Sequence, residues 1–163
     1  MKIIIISDIH DNALNLKKCL EYAKKIKAEA LFCCGDVARG DTIKIMAEKF
    51  DGVIHLVRGN MCMFDDGGIL DYNNIEYYGA IARFQINHYW VGLCHEPYKI
   101  DKMLALGQYD YIFYGHTHEP WEKIQNNTKI INPGTLNGIY DTSTFAEWNT
   151  EKDEVELRMI GKV

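Results

Sequence analysis

Two histidines one residue apart, His116 and His118, follow the apolar run Tyr111-Ile112-Phe113-Tyr114, with Gly115 between run and pair. A run of this kind reads as a strand, and alternation sends residues i and i+2 to the same side. Both rings can then present nitrogens to one pocket, while Gly115 leaves room for a metal or substrate to approach the backbone. A pair of imidazoles alone is more often solvated or stacked than ligating. It carries chemistry only if complementary groups stand at other strand ends. Asp8-Ile9-His10, Gly35-Asp36 and Gly59-Asn60 follow apolar runs upstream, and His95 follows another that ends at Cys94.

Together, Asp8, His10, Asp36, Asn60, His95, His116 and His118 offer two carboxylates, one amide and four imidazoles. This mixed oxygen and nitrogen set suits a first-row divalent ion better than calcium, which takes oxygen alone, or a zinc-thiolate site. Seven groups are too many for one ion with an open position. They suit two ions if one carboxylate bridges, and Asp36, after the central strand, is the natural bridge. Manganese is the first expectation, and nickel, iron and zinc also fit. Two divalent ions, less the charges of Asp8, Asp36 and a bridging hydroxide, leave a cluster of about +1 that attracts phosphate. Without metal the same pocket presents carboxylates and repels it.

The elements that must position these groups follow from hydrophobic periodicity. Residues 2–7, 30–34 and 53–57 are short apolar runs, as in strands buried on both faces. Helical spacing covers residues 13–27, with Asp11 or Asn12 as the cap and Asp11 preferred, and residues 42–50. The order β-α-β-α-β predicts a parallel sheet with right-handed crossovers, whose ligands bind at the carboxyl ends of the strands. Residues 61–74 are rich in Gly and Asp without clear periodicity, which suggests a loop over the site mouth. Residues 75–78, 80–86 and 89–94 read as a meander, and 99–106 as a short helix ending near Gly107. Residues 121–125 and 129–131 form a hairpin around Asn126-Asn127. A last hairpin joins 145–148 to 155–159. No linker, repeat or low-complexity tract interrupts residues 1–163, so one domain is expected.

Composition narrows the class. A formal charge of -5 disfavours non-specific binding to nucleic acid or anionic membranes. The 47% hydrophobic content over 163 residues fits a soluble chain with a substantial core. The longest apolar run, Ala30-Leu31-Phe32-Cys33-Cys34, is too short to span a membrane. Cys19, Cys33, Cys34, Cys62 and Cys94 are odd in number and form no Cys-x-x-Cys pair, so they read as reduced thiols of a cytoplasmic protein. Met1-Lys2 leads directly into a strand without a signal-peptide apolar region.

Ser7-Asp8-Ile9-His10-Asp11, Cys34-Gly35-Asp36, Arg58-Gly59-Asn60, Cys94-His95, Tyr114-Gly115-His116-Thr117-His118 and Asn132-Pro133-Gly134-Thr135 occur in this order. In that order the chain resembles, over essentially its whole length, the calcineurin-like metallophosphoesterases, and among them the small archaeal and bacterial phosphodiesterases of the YfcE type. The resemblance implies an α/β metallophosphoesterase fold, a four-layer αββα sandwich with two mixed sheets and a dinuclear metal site at their edge. By analogy, one ion takes Asp8, His10, Asp36 and His118, and the other takes Asp36, Asn60, His95 and His116. The activity implied is that of a hydrolase, a phosphodiesterase acting on a small phosphate ester through a hydroxide that bridges the ions. Assembly into a homo-oligomer is compatible with it. The alternative is a non-catalytic interaction module on the same fold, as in the retromer subunit that resembles these enzymes.

The chain departs from many relatives at Met61, where they carry a histidine thought to protonate the leaving group. Glu96, after His95, is a candidate acid in its place, a partner that orients a ligand, or an ordinary surface residue. Cys62 reads as a buried loop thiol, although Cys62 and Cys94 both lie close to proposed ligands and are candidates for oxidation. His55 and His88 fall in strands away from the motifs and read as structural. Tyr98 and Trp121 flank ligand motifs and read as rim or core packing.

Overall fold

The computed structural model describes residues 1–69, 71–138 and 142–163. Their strands form two mixed sheets. In the first, β1 (Lys2–Ile6), β2 (Ala30–Cys33), β3 (Val53–Leu56) and β4 (Ile75–Tyr77) are parallel. β10 (Thr144–Asn149) pairs antiparallel with β1, and β11 (Glu154–Met159) completes the order β11-β10-β1-β2-β3-β4. The second sheet runs β5-β6-β7-β9-β8, from β5 (Ile81–Ile86), β6 (Tyr89–Cys94), β7 (Tyr111–Phe113), β8 (Trp121–Gln125) and β9 (Thr128–Asn132). Its three inner strands β6, β7 and β9 are parallel.

The unbroken apolar runs make these sheets two-sided. Ile4 and Ile6 of β1 face α1 (Ala13–Ile26) and α2 (Gly40–Lys49) and pack with Leu16, Leu20 and Met46. Ile3 and Ile5 face the other sheet and join Phe32, Phe113 and Trp148. Beyond the second sheet, Ile112 and Ile130 pack on Ile100 and Met103 of α4 (Ile100–Leu106), which a 3₁₀ turn at Pro97–Lys99 precedes. Three apolar layers between four structural layers give the expected αββα sandwich. The neighbouring thiols obey the same alternation, with Cys33 under the helices and Cys34 between the sheets.

Two local readings need correction. β4 is not part of a meander: it pairs in parallel with β3, Ile54 opposite Ile75, so its neighbour in space lies in the first sheet. The chain changes sheet at Gly79, whose left-handed backbone (φ +68) and carbonyl, accepting from Arg58 N–H, make the corner. The stretch after Asn60 also holds a short helix, α3 (Asp66–Ile69), where a plain loop was expected. As for the helix starts, Asn12 caps α1 by accepting from Asn15 N–H at 3.1 Å. Asp11 instead accepts from Arg39 N–H and Thr42 Oγ1, and so ties this turn to the start of α2. Among the described residues, no helix is long and apolar enough to cross a membrane.

Candidate metal centre

Asp8 and His10 follow β1, Asp36 follows β2, Asn60 follows β3, His95 follows β6, and His116 and His118 follow β7. All seven therefore stand beyond the carboxyl ends of parallel strands, three from one sheet and two from the other. Five of them, Asp8, His10, Asp36, His116 and His118, have left-handed backbones with φ between 43° and 74°. Such residues cluster where a site needs its side chains turned out of the regular path, and Asp and His tolerate this better than bulky or branched types. This corrects the alternation argument for the histidine pair. His116 and His118 lie past the end of β7, and the reversed backbone at each, not strand pleating, sends their rings to different neighbours.

One group forms around Asp8. Its Oδ1 lies 3.2 Å from His118 Nε2 and 3.8 Å from His10 Nε2, and those two nitrogens are 3.3 Å apart. The second forms around Asn60, whose Oδ1 lies 3.0 Å from His95 Nε2 and 2.9 Å from His116 Nδ1. Asp36 joins them: its Oδ2 is 3.2 Å from His95 Nε2 and 3.8 Å from His10 Nε2. Asp8 is fully buried and Asp36 nearly so, whereas Asn60 and His116 are exposed, so the cluster opens to solvent on their side.

The cluster fits cations. Asp8 Oδ1 is buried with no hydrogen-bond partner, a costly arrangement for a carboxylate unless positive charge meets it. His95 donates from Nδ1 to the Cys34 carbonyl at 2.8 Å, which points Nε2 at Asp36 and Asn60. A neutral imidazole would then face two oxygen acceptors with a lone pair. A proton or a metal ion resolves the conflict. Burial lowers the His95 pKa, but the hydrogen bond to Asp36 and the charge of Asp8 outweigh it and raise the value. His10 is raised by its bond to Asp8 despite burial. Burial raises Asp36, but His95 and the Met61 N–H, which donates to its Oδ1 at 2.7 Å, bring it below the usual value. Within the chain, Asp8 with His10 and His118, and Asp8 with Asp36 and His95, each offer three atoms close enough for one ion.

Several positioning residues were quoted in the motifs but given no role. Asn132 donates to the Gly115 carbonyl and to Thr117 Oγ1, both at 3.0 Å, and accepts from Gly134 N–H. Thr135 Oγ1 donates to the Asp8 carbonyl, and Ser7 Oγ to that of Cys34. The Asn-Pro-Gly-Thr turn was thus the available signal for a brace behind the histidine loop. Gly115 also serves a different neighbour from the one expected, because a Cβ there would collide with Ser7 Oγ.

Of the remaining candidates, Glu96 is paired with Lys99. Burial raises its pKa, but the ammonium outweighs this and holds the carboxyl below the usual range, so it keeps no proton to give. Met61 is half exposed beside Asn60. Cys62 is buried and accepts from Gly59 N–H, while burial pushes Cys94 up to about 12, which disfavours its reactive thiolate. His55 stacks on Phe84 at 4.1 Å, and His88 is exposed against Tyr89. Tyr98 and Trp121 are exposed.

The family model of the calcineurin-like phosphoesterase superfamily domain matches residues 1–153. The phosphodiesterase MJ0936 of Methanocaldococcus jannaschii is 28% identical over 161 residues, 94% of this chain and 96% of that protein. Among solved structures, a novel archaeal phosphodiesterase superposes with a TM-score of 0.87 at 26% identity, covering 98% of this chain and 99% of that one. Vps29 of Entamoeba histolytica, solved in complex with zinc, has a TM-score of 0.70 at 15% identity, over 98% and 99% of the chains.

Proposed function

This chain belongs to the calcineurin-like phosphoesterase superfamily, and we propose that it is a metal-dependent phosphodiesterase with a dinuclear centre. Asp8, His10, Asp36 and His118 hold one divalent ion, and Asp36, Asn60, His95 and His116 the other. When bound, the ions supply positive charge for the phosphoryl oxygens and an activated water as nucleophile. The observation that carries this reading is the buried Asp8 Oδ1, which lacks a hydrogen-bond partner while nitrogens of His118, His10 and His95 stand 3.2, 3.8 and 3.9 Å from it. Manganese is the expected metal, with nickel, iron and zinc suited to the same donors.

The chain's own groups divide the remaining work. Asp36 Oδ2 faces both histidine groups, which supports it as the carboxylate that would bridge. The Cys34 carbonyl fixes the His95 tautomer, and Asn60 orients His95 and His116 without adding charge. Of the two positions weighed for an acid, neither offers a proton: the thioether of Met61 carries none, and Glu96 is held ionised by Lys99. The leaving oxygen therefore departs as an anion or takes its proton from water, which favours esters of acidic alcohols.

A chelator-treated sample repleted with manganese, nickel, iron or zinc tests the proposal on bis(p-nitrophenyl) phosphate. Hydrolysis returning with metal supports it. Equal hydrolysis by rigorously metal-free protein would overturn it. The second reading, a non-catalytic interaction module, draws support from the likeness to Vps29. It is the weaker one, since that likeness at 15% identity concerns the fold alone.

A further inference from the structure

Two loops leave the metal centre side by side. One runs from Asp36 to Arg39, the other from Asn60 to Phe64, and they are tied by Met61 N–H to Asp36 Oδ1 and by Met63 N–H to the Ala38 carbonyl at 2.8 Å. At their far ends, between α2 and α3, they enclose a cavity of about 370 Å³ whose walls include Arg39, Ile43, Lys44, Phe64, Gly68 and Tyr72. Arg39 links the two places directly, because its Nε lies 3.4 Å from Asp11 Oδ2, one residue after His10. We propose that this cavity is a second subsite of the same centre, which holds the nucleoside part of a nucleotide diester while its phosphate lies on the metal ligands. The proposal rests on the phosphodiesterase reading above.

The chemistry of the walls selects the occupant. Ile43 and Ile69 are nearly inaccessible and form an apolar floor with Phe64, while half-buried Tyr72 offers a ring at the side. A flat heterocycle gains from such a surface, since every base has a π-face. Among the described residues of the lining, Arg39 and Lys44 are matched by Asp41 and Asp65, so these four side chains add no net charge to draw a further phosphate. The charged and polar heads at its rim instead suit the hydroxyls of a sugar and the edge of a base. Its volume lies in the range of small-molecule sites and is too large for a methyl group to exploit.

The p-nitrophenyl ester of thymidine monophosphate and methyl p-nitrophenyl phosphate share a leaving group and differ only in the part assigned to the cavity. With manganese-loaded protein, kcat/KM is expected to favour the thymidine ester by at least about fivefold, from the stacking of one base. Tyr72→Ala and Gly68→Trp should both abolish that preference and leave the methyl ester unchanged. The second variant is a control for folding, since Gly68 lines the cavity and a Cβ built there meets no neighbouring atom. Titration of thymidine monophosphate into the protein, read by backbone amide shifts, should move Arg39, Phe64 and Tyr72 together. Equal rates on the two esters, or a preference that survives Gly68→Trp, would overturn the subsite while the phosphodiesterase reading stands. If neither ester is hydrolysed with any metal, that reading fails instead, and the amide shifts alone decide: movement at the cavity upholds the subsite, and none refutes it.

Discussion

His55 and His95 are both buried between strands, yet their surroundings push them in opposite directions. His55 lies in the aromatic layer between the sheets, stacked on Phe84, edge-on to Phe32, with its Nδ1 2.9 Å from the Tyr78 hydroxyl. Burial lowers its pKa to about 4, so it is a neutral packing element. His95 stands at a strand end among Asp8, Asp36 and Asn60, and its value is raised. The interior of the sandwich is packed from neutral groups, and its one unpartnered polar atom among the described residues, the indole Nε1 of Trp148, carries no charge. The strand ends carry an unpartnered carboxylate oxygen, reversed backbones and facing donors, and need positive charge from outside. Burial alone therefore does not mark a functional histidine; unbalanced neighbours do.

The contrast can be broken most severely at Asp36. Asp36→Ala should remove the carboxylate shared by both groups, lower phosphodiesterase activity by at least about 10³-fold, and reduce metal content at both positions. Asn60→Ala should cost about 10–100-fold, since a neutral amide orients two histidines on one side only. Metal analysis per chain separates the two variants, and two ions retained in Asp36→Ala would remove it as the bridge.

At the other end of the comparison, Phe32→Ala should cost about 3–5 kcal/mol of stability. The ring is fully buried and touches His55, Phe84, Phe113 and Trp148, so its loss leaves a cavity between the sheets. Denaturant midpoints would fall sharply, while metal affinity of the folded fraction should change little. A variant that lost metal but not stability would show that the two regions are not separable.

Acid sharpens the same contrast. A histidine held near pH 4 in the fold binds its proton more readily when unfolded, with an ordinary value of 6.5. Stability from His55 is therefore present above about pH 6.5 and falls as the pH drops toward 4, by at most about 3 kcal/mol. His10 and His95 act with the opposite sign in metal-free protein. Their raised values give stability that is complete below about pH 6.5 and lost as the pH rises through them. Unfolding measured across this range should show His55→Phe flattening the acid limb and His95→Gln the alkaline one. If His55→Phe leaves the acid limb intact, burial of His55 is not its cause.

The succession of strands along the chain and the two-sided sheets were legible, and the seven proposed donors could be singled out, because apolar runs ending in polar pairs survive in the sequence without tertiary information. What the sequence concealed was pairing at a distance. Nothing in Ile75-Glu76-Tyr77 says that β3 rather than β5 is its neighbour, since both alternatives leave the same face pattern. Asp11 and Asn12 are equally good caps by type, and only the approach of α2 assigns Asp11 to Arg39 and Thr42. Glu96 reads as a free acid until Lys99 turns back along the 3₁₀ turn to meet it. The left-handed backbones at Asp8 and Asp36 leave no mark either, because Asp is common in ordinary turns as well.

The smallest expected effect concerns the cost of keeping the strand ends unsatisfied. In metal-free protein the carboxylates of Asp8 and Asp36 share one pocket, and Asp8 Oδ1 has no donor. Asp8→Asn removes one charge without changing shape. Its side-chain oxygen can still accept from His116 N–H, now at 3.0 Å from Oδ2, and asparagine tolerates the φ of 53° at this position. The new amide N–H can donate toward His118 Nε2, which lies 3.2 Å from the present Oδ1. Metal-free Asp8→Asn should therefore be more stable than the parent at pH 9 by about 1 kcal/mol, the scale of one recovered hydrogen bond. With saturating manganese the order should reverse, because binding stabilises only the chain that holds the ion, by about 2.7 kcal/mol at a hundredfold excess over Kd. Thermal unfolding of both proteins with chelator and with manganese gives the four values needed. A parent that is the more stable protein in chelator would mean that the buried carboxylate is satisfied without metal, and the proposed difference between strand ends and core would be lost.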